Sequence, residues 1–212
     1  LVLDMSTSMR HSTQTGQVKL DAVLAAARYF VGRMKLESTE GSRHDQVAVV
    51  GFNDQAWIQS PLGNDRSAID NALSALPDGI LEGTRLDLAF ATGAAALAPE
   101  RRITGNLAVM VVLTDGLPNR VPVADDGTTE TTVRHAADAA KAAGIRIYTI
   151  GVGRTDPDAE IAERIDAVLL AACASSPEMF YHEPDAAQLD RVYGQIVTQI
   201  DPCRGRSYWG NR

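Results

Sequence analysis

The stretch "NLAVMVVLT" (106–114) constrains the fold more than any other part of the chain. Nine residues pass with hardly a polar break. A strand with one face in water alternates apolar and polar residues, so an unbroken run implies burial on both faces. Strands buried in that way belong to parallel sheets, whose crossover connections lay helices over both faces. The rest of the chain fits this reading. "QVAVVGFN" (46–53) and "IRIYTIGVG" (145–153) are further apolar strands, while "LVL" (1–3) and "MFYH" (179–182) are shorter ones. Between them lie stretches with apolar residues three and four apart, at 18–35, 65–75, 85–98, 130–144, 158–171 and 185–199. This alternation predicts an α/β fold, doubly wound and Rossmann-like, with a mainly parallel central sheet and helices on both faces. "AWIQS" (56–60), joined to 46–53 through "DQ", adds one antiparallel edge strand.

Bulk properties narrow the function. The chain has 212 residues, enough for one sizeable core, and 45% hydrophobic with 22% charged residues is an ordinary globular balance. A net charge of −7 argues against a nucleic-acid partner, because phosphate binding draws on a basic surface. No apolar run approaches the roughly 20 residues of a membrane span. The chain starts inside a strand, without an initiator Met or a charged leader. We therefore read residues 1–202 as one domain with its N-terminal strand cut short, and 203–212, with three arginines and two aromatics, as a tail or linker.

In an open parallel sheet, ligands bind beyond the carboxyl ends of the strands, where the strand order reverses. Asp4 ends the first strand and is followed by Ser6 and Ser8, at alternate positions that an extended segment turns to one side. Asp115 follows the long buried strand in "LTDGLPN", and Thr84 in "LEGTRLD" precedes a helix. Each has an ordinary reading when taken singly. Serines after a strand cap the next helix, Thr84 with Asp87 matches a capping box, and Asp-Gly is a frequent turn pair.

Together, D-x-S-x-S at one strand end, G-T at a helix start and T-D-G at another strand end resemble the von Willebrand factor type A domain and its metal-ion-dependent adhesion site. The resemblance covers residue 1 to about 200, in motif order and in strand–helix order. It implies a metal site at Asp4, Ser6, Ser8, Thr84 and Asp115, with the serines binding directly and the aspartates often through water. All five are oxygen donors, which selects Mg²⁺, with Mn²⁺ or Ca²⁺ as substitutes. The two carboxylates formally cancel the ion, whereas the hydroxyls add no charge. The cation therefore stays electrophilic at an open position, which in the family takes a Glu or Asp carboxylate from a partner protein. The expectation is thus a monomeric, non-catalytic, cation-dependent adhesion or interaction module. The "TDGLPN" form and the Ala-rich composition are similar to bacterial members.

Two further functions fit parts of the pattern. The same fold could serve as a subunit of an intracellular metal-insertion or ATPase-coupled complex. A Mg²⁺-dependent phosphatase of the haloacid dehalogenase type also begins with a strand ending in Asp, but it needs a second acid where Ser6 stands. The four histidines lack a metal-ligand pattern, and Gly151 and Gly153 in "GVG" look like a turn. Cys173 and Cys203 are the two cysteines. A bond between them would close a loop of about 30 residues, stabilise by roughly 3–4 kcal/mol and imply an extracytoplasmic or cell-surface setting. Two free thiols in a reducing compartment are the alternative.

Overall fold

The computed structural model describes residues 1–12, 16–37, 44–122, 128–158, 160, 164–183 and 188–200. The tail at 203–212, with Cys203, lies outside the described residues. Six strands form one sheet: β1 (Val2–Asp4), β2 (Val47–Phe52), β3 (Ala56–Gly63), β4 (Val109–Thr114), β5 (Arg146–Val152) and β6 (Phe180–Glu183). Their order is β3-β2-β1-β4-β5-β6, with every pairing parallel except β2–β3. The α/β doubly wound sheet with one antiparallel edge is therefore what the chain forms.

Alternate residues of the buried strands feed two cores. Leu3, Val49, Val111, Leu113, Tyr148 and Ile150 face α1 (Lys19–Arg33), α2 (Arg66–Ala75) and α6 (Leu189–Ile200). Val2, Val50, Phe52, Met110, Val112 and Ile147 face α3 (Leu86–Ala96), α4 (Thr129–Ala142) and α5 (Ala167–Cys173). This two-sided burial accounts for the unbroken apolar run in β4.

β1 sits between β2 and β4, so the strand order reverses there. Its register aligns Val2 with Val50 on one side and Val112 on the other. The carboxyl ends of β1 and β4 thus emerge side by side, bringing Asp4 and Asp115 to one edge of the sheet.

Some boundaries differ from expectation for local reasons. The edge strand continues past Ser60 through Pro61 to Gly63; an edge position tolerates proline because one side of its backbone needs no partner. The helix expected at 158–171 begins only at Ala167, where Asp166 accepts the Leu169 N–H at 2.9 Å and sets the start. Gly151 is a strand residue rather than part of a turn. A Cβ there would lie 2.5 Å from Ile165 Cδ1, so its bare backbone lets Ile165 and α5 close on the sheet. Cys173 is fully buried with a free thiol, and burial pushes that thiol up to about 12. The pairing expected with Cys203 lies outside the described residues.

Candidate metal centre

β1 delivers Asp4 fully buried, and the chain then turns into a short 3₁₀ segment, Thr7–Arg10. Both Asp4 oxygens are held in place. Oδ1 accepts the Ser6 N–H at 2.8 Å, and Oδ2 accepts the Thr114 hydroxyl at 2.6 Å. Burial, and after it the charge of Asp115, pushes the Asp4 carboxyl up to about 7, against the opposing bonds from Thr114 and Ser6.

Ser6 occupies the cap position of the 3₁₀ segment, but its side chain makes no capping bond. It turns to the sheet edge instead. Ser6 Oγ lies 2.9 Å from Ser8 Oγ, and Ser8 Oγ donates to Asp115 Oδ1 at 2.7 Å, with Ser6 Oγ 3.5 Å from the same oxygen. Four of the five residues expected at the site, Asp4, Ser6, Ser8 and Asp115, therefore form one linked set. Ser8 is half-buried and the other three are buried, so the set opens to solvent on the Ser8 side.

Thr84 borders this set from the loop before α3. It is 3% exposed, and its Oγ1 lies 3.5 Å from where a Cβ on Gly116 would stand, beside Asp115. The loop is locked to the one after β4: Thr84 N–H donates to Asn119 Oδ1 at 3.0 Å, and Asn119 N–H donates to the Thr84 carbonyl at 3.1 Å. The capping-box reading of Thr84 and Asp87 does not hold. α3 starts after Arg85, whose guanidinium makes two bonds to Asp87, at 2.8 and 2.7 Å, and so draws that carboxylate away from the backbone. Arg120, at φ 56°, ties the rim together through Glu82 at 2.9 Å and Asp54 at 3.6 Å.

Sequence reasoning missed Lys19, Thr114 and Asn119. Lys19 Nζ lies 2.9 Å from Asp115 Oδ2, a buried ion pair, and it is the first residue of α1. A lysine where a helix begins was the available signal, since a helix N-terminus disfavours positive charge.

The donor chemistry fits a hard divalent cation. No group of three or more His, Cys, Asp or Glu residues suited to a metal exists among the described residues. Asp4, Ser6, Ser8, Thr84 and Asp115 supply oxygen alone, the choice of Mg²⁺, Mn²⁺ or Ca²⁺.

A search of curated proteins finds no match. Among solved structures, the proximal thread matrix protein 1 of the mussel byssus, with a zinc-occupied MIDAS motif, aligns at TM-score 0.68 and 20% identity over 93% of this chain and 43% of that one. The pilus adhesin SpaC of Lactobacillus rhamnosus GG aligns at TM-score 0.72 and 20% identity over 94% of this chain and 30% of that one. The vWF domain of the type V pili tip protein Mfa5 of Porphyromonas gingivalis aligns at TM-score 0.73 and 14% identity, over 95% and 93%. The chain thus spans less than half the length of the mussel and SpaC proteins. The von Willebrand factor type A domain family matches residues 1–195, and with that span the chain belongs to this family.

Proposed function

We propose that this domain is a non-catalytic protein-binding module that holds a divalent cation at Asp4, Ser6, Ser8, Thr84 and Asp115 and captures a carboxylate from a partner. The observation that carries the reading is the linked set at the sheet edge. Ser6, at the cap position of the following 3₁₀ segment, makes no capping bond but meets Ser8, and Ser8 donates to Asp115, a residue 107 positions away.

Each residue has a distinct part in this reading. Asp4, fixed at both oxygens, anchors the floor of the site. Ser6 and Ser8 add neutral oxygens that hold a cation without adding negative charge. Thr84 and Asp115 close the far wall. A bound Mg²⁺ supplies a Lewis-acidic position able to accept an outside oxygen. An Asp or Glu side chain of a partner provides that oxygen most readily, because charge attraction adds to coordination.

Ser6 stands where a haloacid-dehalogenase-type phosphatase needs its second acid, which supports a binding role over a hydrolytic one. Three of the structural neighbours are a byssus thread matrix protein, a pilus adhesin and a pilus tip protein, and these favour adhesion in an extracytoplasmic or cell-surface setting; an aerotolerance-related membrane protein from Bacteroides fragilis shares the fold as well. No helix among the described residues is long and apolar enough to cross a membrane.

The test is calorimetric titration of Mg²⁺ and of Mn²⁺ into the wild type, Asp4→Ala and Ser8→Ala, in acetate and in acetate-free buffer. Wild-type binding that both variants lose, with acetate binding linked to the metal, is expected. A folded wild type that binds neither ion would end the proposal.

A further inference from the structure

Lys19 belongs to no oxygen set, yet it is built into the site. Its side chain is 8% exposed, and its ammonium reaches Asp115 Oδ2 at 2.9 Å. The position is unfavourable on two counts. It opens α1, where the helix dipole repels a cation, and it removes an ammonium from water, a desolvation that its partner must offset. An apolar side chain of similar volume would serve a core at no such penalty. Local rules broken in this way are expected at functional sites.

The contact geometry separates the two Asp115 oxygens. Oδ2 is held by Lys19, while Oδ1 faces Ser8 and Ser6. Asp115 therefore offers one oxygen to the sheet edge and keeps the other on an internal cation. The charge balance changes as well: with both carboxylates ionised, as a bound cation requires, Asp4 and Asp115 carry −2, and Lys19 brings the cluster to −1.

We propose that Lys19 is a positioning residue that orients Asp115 and sets the charge of the site, weakening its hold on the divalent cation and strengthening its hold on the partner's carboxylate. The proposal rests on the metal-binding reading above. With Lys19 present, a bound divalent ion leaves the cluster at +1 rather than neutral, so an incoming carboxylate completes the balance. Without it, the cation is already compensated and draws an anion less. Lys19 thus trades metal affinity for ligand affinity, which a purely structural ion pair would not do.

The two effects have opposite signs, and that makes them separable. Mn²⁺ and Mg²⁺ are titrated into wild type, Lys19→Met, Lys19→Gln and Lys19→Arg, with and without acetate as the carboxylate probe, and circular dichroism confirms the fold of each. The neutral variants are expected to bind Mn²⁺ about tenfold more tightly, as removal of a nearby unit charge implies. In them the gain in metal affinity that acetate brings should fall towards none, while Lys19→Arg stays near wild type. Gln provides a smaller, polar neutral side chain if Met does not fold. Neutral variants that bind the metal no more tightly than wild type, with acetate linkage unchanged, would reduce Lys19 to a structural residue. Absence of metal binding in wild type is a different result, which overturns the metal reading and this proposal together.

Discussion

Asp115 is where the demands on a single side chain are greatest. It accepts from Ser8, has Ser6 Oγ 3.5 Å from the same oxygen, pairs with Lys19 and is wholly buried, so its charge leans on those partners. Replacing it with alanine would strand the Lys19 ammonium in the interior, and breaking a buried pair from one side costs about 3–5 kcal/mol. Asp115→Ala should therefore show that loss in urea unfolding. Asp115→Ala with Lys19→Met should recover much of it, because no unpaired charge is left behind. Equal losses in the single and the double variant would mean that the ion pair is not what stabilises this corner. The chain displayed the acceptors of the site but not its internal cation. Asp4, Ser6, Ser8 and Asp115 sit in short local patterns, whereas Lys19 lies 96 residues from its partner, and its place at a helix start does not say which carboxylate it meets. Thr114 was hidden for a similar reason, as a hydroxyl closing an apolar strand with its acceptor 110 residues away.

Among elements, the loop that brings Thr84 to the sheet edge depends on Gly83. Its φ is +120°, and a Cβ there would lie 2.9 Å from Asp54 Cβ and 3.0 Å from the Asp54 backbone N and Cα. A side chain is excluded both by conformation and by a backbone that cannot swing aside. Gly83→Ala should cost about 1–3 kcal/mol in thermal or urea unfolding and should weaken cation binding, since Thr84 moves with it. An alanine variant with wild-type stability and wild-type metal affinity would contradict both halves of that expectation. Legibility varied with how local the determining signal is. β4 and β5 were visible because burial on both faces leaves no polar residue to mask the pattern. α5 was placed too early, because the polar stretch before Asp166 carries apolar residues at helical intervals while the start is decided by one capping carboxylate. The Thr84–Asp87 spacing misled in the opposite way. It matched a capping box, but Arg85 between them takes the Asp87 carboxylate for itself.

At the scale of the molecule, the site joins pieces that the chain keeps far apart. Asp4 ends β1, Asp115 follows β4, Lys19 opens α1 on one face of the sheet, and Thr84 precedes α3 on the other. A cation that needs the oxygens of Asp4, Thr84 and Asp115 in register binds the folded chain and not the unfolded one. Linkage then requires it to stabilise the whole fold, by about 2.7 kcal/mol at one hundred times its dissociation constant. For a domain of this size each kcal/mol moves the melting temperature by roughly 2–4 °C. Mg²⁺ should therefore raise the melting temperature in proportion to the logarithm of its concentration, and a chelator should reverse the rise. Sodium chloride at matched ionic strength should give no such shift, because screening acts on exposed charges and this cluster is buried. Asp4→Ala should abolish the Mg²⁺ response while leaving a cooperative transition. A melting temperature indifferent to Mg²⁺ and Mn²⁺ in the wild type would mean that the converging oxygens brace the reversal point of the sheet for its own sake. A response retained in Asp4→Ala would move the cation elsewhere on the molecule.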